Sequence, residues 1–397
     1  MSTLYEGERL ALNPHPVVYR FFPAERVFGS LVVFIPGMAH NARISYGGHP
    51  GSHAQGFLAY WFNDEGHSFL GLSYPLDSDS LMPATSPDFT IPEWGLQAAA
   101  VIHDVIVGHR LPSRVIILAW SMAGKILHPV AAYCRELNIE VELFVSLAAT
   151  PALPGLLPVP PRKDIVKTAA GYATKPSLEK KFLQQIEEQT NSRSGSERYL
   201  HRNDIPRHIL IGDQPIIDPV TYKRDYLGAT PIGLTASGLR YDTEKNDFVE
   251  EEPGKLMEHG QVHDFKNLPP MAAIFASSAL DFRHALTDKP IWGHLMIQRA
   301  TCRLIDEGIS DLCSEPGVAD PIDFQQLQEA ILKIPELMTM EIPGNHFFFV
   351  GADGARKTVD MVIILLGVMA RHEREIKRIL STLRRKKSSG GDGGQAN

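Results

Sequence analysis

The chain has 397 residues and a formal net charge of −7 at pH 7, with 44% hydrophobic and 21% charged residues. These proportions are those of an ordinary globular protein and exclude a disordered or fibrous chain. The acidic balance, without a broad basic stripe, also excludes nucleic acid as an expected partner.

The cysteines and the apolar stretches indicate the cellular compartment of the protein. Three cysteines, at 134, 302 and 313, form no CxxC pair. A disulfide framework or a cysteine-based zinc site is therefore not expected, and a reducing compartment fits better. The first residues lack an apolar signal segment, and the longest apolar stretch, 361–370, is shorter than the ~18 residues that span a bilayer. The sequence predicts a cytoplasmic protein with no membrane span.

The first 150 residues alternate buried strands with helices. Continuous apolar runs predict strands, and apolar residues at helical spacing predict helices. In chain order the predicted elements are strand 31–35, strand 68–73, helix 94–109, strand 114–119, helix 121–137 and strand 141–147. Such an alternation is typical of a mostly parallel sheet covered by helices on both faces.

The alternation stops after residue 150 and resumes near residue 269. Five prolines within 151–161 predict an irregular connector, because proline has no N–H donor. The more polar stretch that follows contains a predicted helix at 177–190 and an acidic loop at 247–252. The later elements are strand 271–276, helices 291–307 and 322–332, strand 337–342 and helix 355–383.

This interruption predicts a core in two parts with a module inserted between them. A structureless loop of that length inside a compact domain would be improbable. The expected organisation is a first core part, an insertion, a second core part and a flexible basic Gly/Ser tail, with bounds 1–150, 151–268, 269–383 and 384–397.

A serine lies where the most strand-like run ends and a helix begins. Ser121 stands in the segment Ala119-Trp120-Ser121-Met122-Ala123. A serine in a tight strand-to-helix turn has a strained backbone, and its Oγ is lifted above the sheet edge. Such a turn needs small residues two positions before and after the serine, as here. The alternative is a serine that only caps the helix.

This strand–serine–helix pattern resembles the nucleophile elbow of the α/β-hydrolase fold superfamily. The usual Gly-x-Ser-x-Gly of that family has alanine at both outer positions here. The resemblance covers about residues 31–150 and 269–383. It implies an α/β fold, with a mostly parallel central sheet flanked by helices and an inserted cap module. It also implies that the acid and then the histidine of a triad follow the serine along the chain.

The other two triad members are expected after the last two strands. His346 follows strand 337–342 in a Pro-Gly loop and resembles the catalytic histidine of the family. Asp281 follows strand 271–276 through small residues and resembles the acid, with Asp288 as the weaker rival and a turn-capping aspartate as the alternative. The resemblance implies that the serine attacks, the histidine transfers its proton and the aspartate orients the imidazole.

Two backbone N–H groups are expected to form an oxyanion hole. The resemblance gives one to Met122 and the other to Met38, in the turn after strand 31–35, with Ala39 as its alternative. Trp120 is predicted to bind substrate by lining the acyl pocket, or else to pack under the sheet. The loop histidines His40, His49 and His53 are expected to contact solvent or substrate rather than a metal.

The triad and the insertion together indicate a serine hydrolase of the carboxylesterase or thioesterase type. The expected partner is a small-molecule ester or thioester with a sizeable, largely apolar acyl group, free or attached to a carrier. No cofactor and no metal are expected. Acyl transfer or lactone-forming release on the same triad is the alternative, as is a non-hydrolytic member that only binds a small molecule.

Overall fold

An eight-stranded sheet forms the centre of the protein. The computed structural model describes residues 4–12, 14–25, 29–78, 81–152, 164–191, 216–235, 238–261, 263–310 and 321–390. The strands are β1 (Glu8–Ala11), β2 (Val17–Phe22), β3 (Leu31–Ile35), β4 (Phe69–Leu72), β5 (Arg114–Trp120), β6 (Glu140–Leu147), β7 (Val166–Lys167), β8 (Ala173–Thr174), β9 (Leu239–Asp242), β10 (Asp247–Glu250), β11 (Met271–Ala276) and β12 (Thr339–Ile342).

The central sheet has the strand order β1-β2-β4-β3-β5-β6-β11-β12. All pairs from β4 to β12 are parallel, whereas β2 is antiparallel to both β1 and β4. Every residue of β3 and all but the first of β5 are buried, so helices or loops cover both faces of the sheet there. The predicted fold class, a mostly parallel sheet flanked by helices, is confirmed.

The helices pack in groups beside this sheet. They are α1 (Leu58–Asp64), α2 (Ile91–His109), α3 (Leu127–Glu136), α4 (Pro176–Asn191), α5 (Pro219–Thr221), α6 (Pro253–Gly260), α7 (Phe282–Asp306), α8 (Pro321–Leu332), α9 (Ile334–Met338) and α10 (Ala352–Gly390). The helix α2 packs against α3, and α1 packs against α10. In the described part of the chain, no helix combines the length and apolar character that crossing a membrane requires.

Several element bounds differ from the prediction for local reasons. The helix α2 begins three residues early, because Thr90 and Glu93 form a capping box. The helix α7 begins at 282 rather than 291, since Pro290 lies inside the helix without ending it. Residues 337 and 338 close α9, so β12 begins only at 339.

Two further features depart from the prediction. The acidic stretch expected as a loop contains β10, which pairs with β9 around a turn where Asn246 has a φ of 48°. The final helix α10 continues to residue 390, past the predicted start of the tail at 384, and residues 391–397 lie outside the described residues. The expected tail residues 384–390 are thus helical.

The strands β1 and β2 are absent from the prediction, and a buried ion pair ties β1 to the rest of the molecule. Arg43 Nη2 donates to Glu8 Oε2 at 2.8 Å, and both side chains are almost fully buried. Tyr46 donates to Glu8 as well, at 2.7 Å. Arg43 also donates to the carbonyl of Asp225, at 3.1 Å, and thereby reaches the insertion.

The predicted insertion, 151–268, lies between β6 and β11 in the chain. Its described parts contain the hairpin β7–β8, the helix α4, a π-helical turn at Tyr222–Tyr226 directly after α5, the hairpin β9–β10 and the helix α6. Of the five connector prolines, those at 154, 158, 160 and 161 lie outside the described residues, whereas Pro151 is described and buried. The turn at 222–226 packs on the segment that follows β3.

The substitution Glu8→Gln is expected to lower the free energy of unfolding by about 3–5 kcal/mol, because it leaves Arg43 buried without its anion. Chemical denaturation measures the change. The matched control is Glu336→Gln, which breaks an exposed ion pair with Lys289 and is expected to cost less than about 1 kcal/mol. Equal effects of the two substitutions would contradict a structural role for the buried pair.

Candidate active site

The serine after β5 has a strained backbone. Ser121 has a φ of 54°, in the left-handed region that favours glycine. A capping serine has an extended backbone instead, and the residue at the N-cap position of this helical turn is Trp120. The capping alternative therefore does not describe Ser121. Because strain of this kind is retained where the surroundings impose it, the turn is a candidate functional feature.

Close backbone approaches impose this conformation. A Cβ atom on Gly37, in the loop after β3, would lie 2.5 Å from Ser121 Cβ and 3.1 Å from its Oγ. A Cβ atom on Gly124 would lie 2.6 Å from the carbonyl oxygen of Thr150. The N–H of Thr150 donates to the carbonyl of Ser121 at 2.8 Å. The loop after β3 and the chain after β6 thus enclose the serine from both sides.

The aspartate and histidine predicted from the sequence form a buried pair. His346 Nδ1 and Asp281 Oδ2 are 2.9 Å apart, and the two residues are 5% and 4% exposed. Their loops are joined directly, since Ser277 N–H donates to Ile342 O and Ser278 N–H donates to Gly344 O, both at 3.1 Å. Asp281 makes no side-chain capping bond to α7, so its carboxylate faces the histidine instead.

Two opposing effects set the protonation of Asp281. Burial raises the pKa of this carboxyl, but the charge and hydrogen bond of His346, together with the charges of His284 and Lys181, outweigh the burial. The net result is a pKa of about 2. The aspartate is therefore ionised at neutral pH and can accept a hydrogen bond from His346 Nδ1–H, which leaves Nε2 as the ring nitrogen free for proton transfer.

Trp120 connects the serine turn to the histidine loop. Its Nε1–H donates to the carbonyl of His346 at 3.0 Å, and the two rings are 5.2 Å apart. The side chain of Trp120 has no exposed surface, which agrees with the packing alternative, while a contact with substrate stays a prediction. No hydrogen bond joins Ser121 Oγ to His346 within the described residues. Catalytic hydrogen bonds are often long before substrate binds.

The rival aspartate has a partner of its own. Asp288 Oδ1 lies 2.9 Å from His284 Nδ1, and both side chains are buried. The His284 ring stacks on the His346 ring at 5.2 Å, although the sequence analysis assigns His284 no role. Potential ligand atoms of Asp281, His284 and His346 lie within 4.8 Å of one another. Because hydrogen bonds between side chains already engage this group, we assign no metal to it.

The backbone N–H groups near Ser121 differ in their partners. The N–H of Ala39 donates to Thr230 Oγ1 at 2.9 Å, so it is already engaged. The N–H groups of Met38 and Met122 have no hydrogen-bond partner among the described residues. Of the two neighbours considered for the loop after β3, Met38 is therefore the one whose donor is available to an oxyanion.

Aromatic side chains from the insertion cover the site. The Phe182 ring lies nearly parallel to the His346 ring, with centroids 6.3 Å apart. Tyr222 Oη lies 2.6 Å from His40 Nε2, and both side chains are fully buried. Burial lowers the pKa of His40 to about 3, so its ring is neutral. These contacts join residues more than 140 positions apart, so local sequence patterns could not predict them.

The three loop histidines differ in their exposure to solvent. Solvent contact holds for His53, which is exposed. His40 and His49 are buried, and they bond to the hydroxyls of Tyr222 and Tyr226, so they do not contact solvent, and their contact with substrate stays a prediction.

Comparison with known proteins yields structural matches alone. No family model matches the chain, and no curated protein matches it in sequence. It is similar to a thioesterase domain from the curacin biosynthetic pathway, with 11% identity, 90% of this chain and 98% of that chain covered, and a TM-score of 0.37. It is also similar to a monoglyceride lipase from Saccharomyces cerevisiae, with 10% identity, 94% of this chain and 97% of that chain covered, and a TM-score of 0.43. A third similar structure is an esterase from Thermogutta terrifontis, with 10% identity, 90% of this chain and 98% of that chain covered, and a TM-score of 0.42.

The fold follows from the molecule's own topology. The sheet order, the antiparallel β2, the strained serine after β5 and the Asp–His pair after β11 and β12 are observed in this molecule without reference to these matches. A serine on a sharp strand-to-helix turn, followed along the chain by the acid and then the histidine, is the arrangement of α/β-hydrolases. The chain has an α/β-hydrolase fold.

Gly37→Ala is expected to lower the free energy of unfolding by about 1–3 kcal/mol, because the added Cβ overlaps Ser121 and forces the backbone to move. Chemical denaturation provides the measurement. Gly254→Ala is the control, since its Cβ would meet nothing within 4 Å and the position lies in α6, where alanine is favoured over glycine. A neutral Gly37→Ala would show that the two loops can separate freely.

Proposed function

We propose that the protein is a serine hydrolase that cleaves an ester or thioester of a sizeable, largely apolar acyl group. The observation that carries this proposal is the buried Asp281–His346 pair, whose loop is hydrogen-bonded to the residue before the strained Ser121. The three side chains follow β5, β11 and β12, which all run in the same direction. Their loops therefore lie at one edge of the sheet.

The proposed reaction proceeds through an acyl-enzyme. Ser121 Oγ attacks the carbonyl carbon of the substrate while His346 takes its proton. The tetrahedral intermediate then breaks its bond to the leaving alcohol or thiol, which departs with that proton. Water, deprotonated by the same imidazole, attacks the acyl-enzyme and releases the carboxylic acid together with free Ser121. No other reactant is required.

The surrounding groups stabilise the charges that develop. Ionised Asp281 stabilises the imidazolium of His346 and holds its Nδ1–H in place. The N–H groups of Met38 and Met122 are the proposed donors to the oxyanion. The loss of one such donor in well-studied hydrolases costs about 3 kcal/mol of transition-state stabilisation.

The lining of the site supports an apolar acyl group. The Phe347 ring contacts the rings of Phe182 and Tyr222, and all three rings contact His40. The buried side chains of Met38 and Met122 lie on the strand-end loops of the same site. Apolar and aromatic surroundings with a few placed polar groups are what a small-molecule pocket usually presents.

Acyl transfer is the second candidate, and the cover over His346 is the observation that favours it. With His346 5% exposed beneath Phe182, water has limited access to the imidazole. An alcohol or amine would then accept the acyl group in place of water, and an internal hydroxyl would give a lactone. The ratio of transfer product to free acid, measured with an added alcohol, distinguishes transfer from hydrolysis.

Ser121→Ala is expected to abolish both turnover of p-nitrophenyl esters or acyl thioesters and covalent labelling by a fluorophosphonate probe. The control Ser381→Ala, on the exposed face of α10, should label and turn over as the wild type does. Esters and thioesters of graded chain length define the acyl preference. Tight ligand binding by a wild-type protein that neither labels nor turns over substrate would instead support a non-hydrolytic binding protein.

Asp281→Asn is expected to lower kcat by ~10⁴-fold, because the amide no longer stabilises the imidazolium or the reactive tautomer. The matched control is Asp288→Asn, equally buried but paired with His284, and its kcat should remain within about 10-fold of the wild type. Steady-state kinetics with one ester compares the two variants. A larger loss in Asp288→Asn than in Asp281→Asn would move the role of the acid to Asp288.

A further inference from the structure

The loop that carries the proposed oxyanion donor has a strained backbone of its own. This oxyanion loop, residues 37–41, follows β3, and Ala39 within it has a φ of 64°. A left-handed conformation costs a non-glycine residue about 1–2 kcal/mol, so it persists only where neighbouring contacts hold it. Within the loop itself, the N–H of His40 makes a long hydrogen bond to Gly37 O, at 3.3 Å, and His40 Nδ1 bonds to Met38 O at 2.8 Å.

Most of the contacts that hold this loop come from the insertion. The strap, residues 222–230, runs alongside the loop and pairs with it at an isolated bridge between His40 and Leu227. The other hydrogen bonds between them are Ala39 N–H to Thr230 Oγ1 at 2.9 Å, Gly228 N–H to Ala39 O at 2.9 Å, Asn41 N–H to Tyr226 O at 3.1 Å, Asn41 Nδ2 to Asp225 O at 2.8 Å, and the His40–Tyr222 bond.

Two side-chain hydroxyls form hydrogen bonds with the peptide groups on either side of Met38. Tyr74 Oη, from the loop after β4, donates to the carbonyl of Gly37 at 2.8 Å. Thr230 Oγ1 accepts the N–H of Ala39 and lies 3.2 Å from Tyr74 Oη. The side chains of Thr230 and Tyr74 are fully buried, so water does not compete for these bonds.

Because the peptide group is planar, these contacts fix the orientation of the Met38 N–H. The carbonyl of Gly37 and the N–H of Met38 belong to one trans peptide group, in which the oxygen and the hydrogen point in opposite directions. Since Tyr74 holds the oxygen, the Met38 N–H must point away from Tyr74. Thr230 holds the next peptide group through the Ala39 N–H, which prevents a compensating rotation.

We propose that Thr230 of the insertion and Tyr74 of the core are positioning residues for the oxyanion donor. They lock the Gly37–Met38 peptide group with its N–H free for the substrate. This inference rests on the proposed function and extends it, because it makes the insertion a part of the catalytic machinery in addition to a cover. The insertion thereby determines the rate of the chemical step as well as which substrates enter.

The test compares Thr230→Val and Tyr74→Phe, which each remove one hydroxyl, with Thr230→Ser, which restores it. Thr358→Val is the control, because it removes an equally buried hydroxyl, which donates to Gly354 O within α10. With a p-nitrophenyl ester, Thr230→Val and Tyr74→Phe should each lower kcat about 10- to 100-fold with KM within about 3-fold of the wild type. Thr230→Ser should recover most of the activity, and Thr358→Val should lose none.

A second readout does not depend on activity. Hydrogen exchange of a peptide covering 37–41 should accelerate at least about 10-fold in Thr230→Val and stay unchanged in Thr358→Val. A Thr230→Val protein with wild-type kcat and wild-type exchange overturns the positioning role. If the wild-type protein shows no turnover and no labelling, the proposed function fails, while the exchange result still decides whether Thr230 holds the loop.

Discussion

The chain must turn from strand to helix within one residue, and this turn must fit between the ends of two neighbouring strands. At Ser121 the backbone is left-handed, Gly37 approaches within a distance that excludes any Cβ, and the N–H of Thr150 holds the serine carbonyl. Because the serine, the oxyanion loop and the chain after β6 touch at this point, a shift of any one displaces the others. The geometry of the candidate site depends on this crowding.

The insertion is anchored firmly at one side of the site. Its strap meets the oxyanion loop, and the carbonyl of Asp225 accepts from Asn41 and from Arg43. Arg43 in turn pairs with Glu8 of the first strand. The desolvation of a buried charge pair offsets much of its attraction, so its net contribution to stability is small although the loss of one partner is costly. A line of polar contacts therefore connects the N-terminal edge of the sheet to the oxyanion loop through the insertion.

The central parallel strands were predictable because burial on both faces demands continuous apolar runs, as in β3 and β5. The first two strands were not predicted: β1 is a four-residue edge strand with two charged residues, whereas β2 has five apolar or aromatic residues in six, a strand signal that the prediction did not use. The start of α7 was misplaced for a different reason. A proline usually ends a helix, but Pro290 is accommodated inside this one, and local sequence does not show the packing that permits it.

The sequence by itself determined where the chemistry could lie: Ser121, Asp281 and His346 each follow a strand, and parallel strands end at one edge. The tertiary structure alone decided which partners they have. It paired Asp281 with His346 and Asp288 with His284, engaged the Ala39 N–H with Thr230, and buried Trp120 between two loops. These choices depend on contacts between residues far apart in the chain, 191 positions in the case of Ala39 and Thr230. Local propensity and periodicity carry no information about such distances, because they describe only neighbours along the backbone.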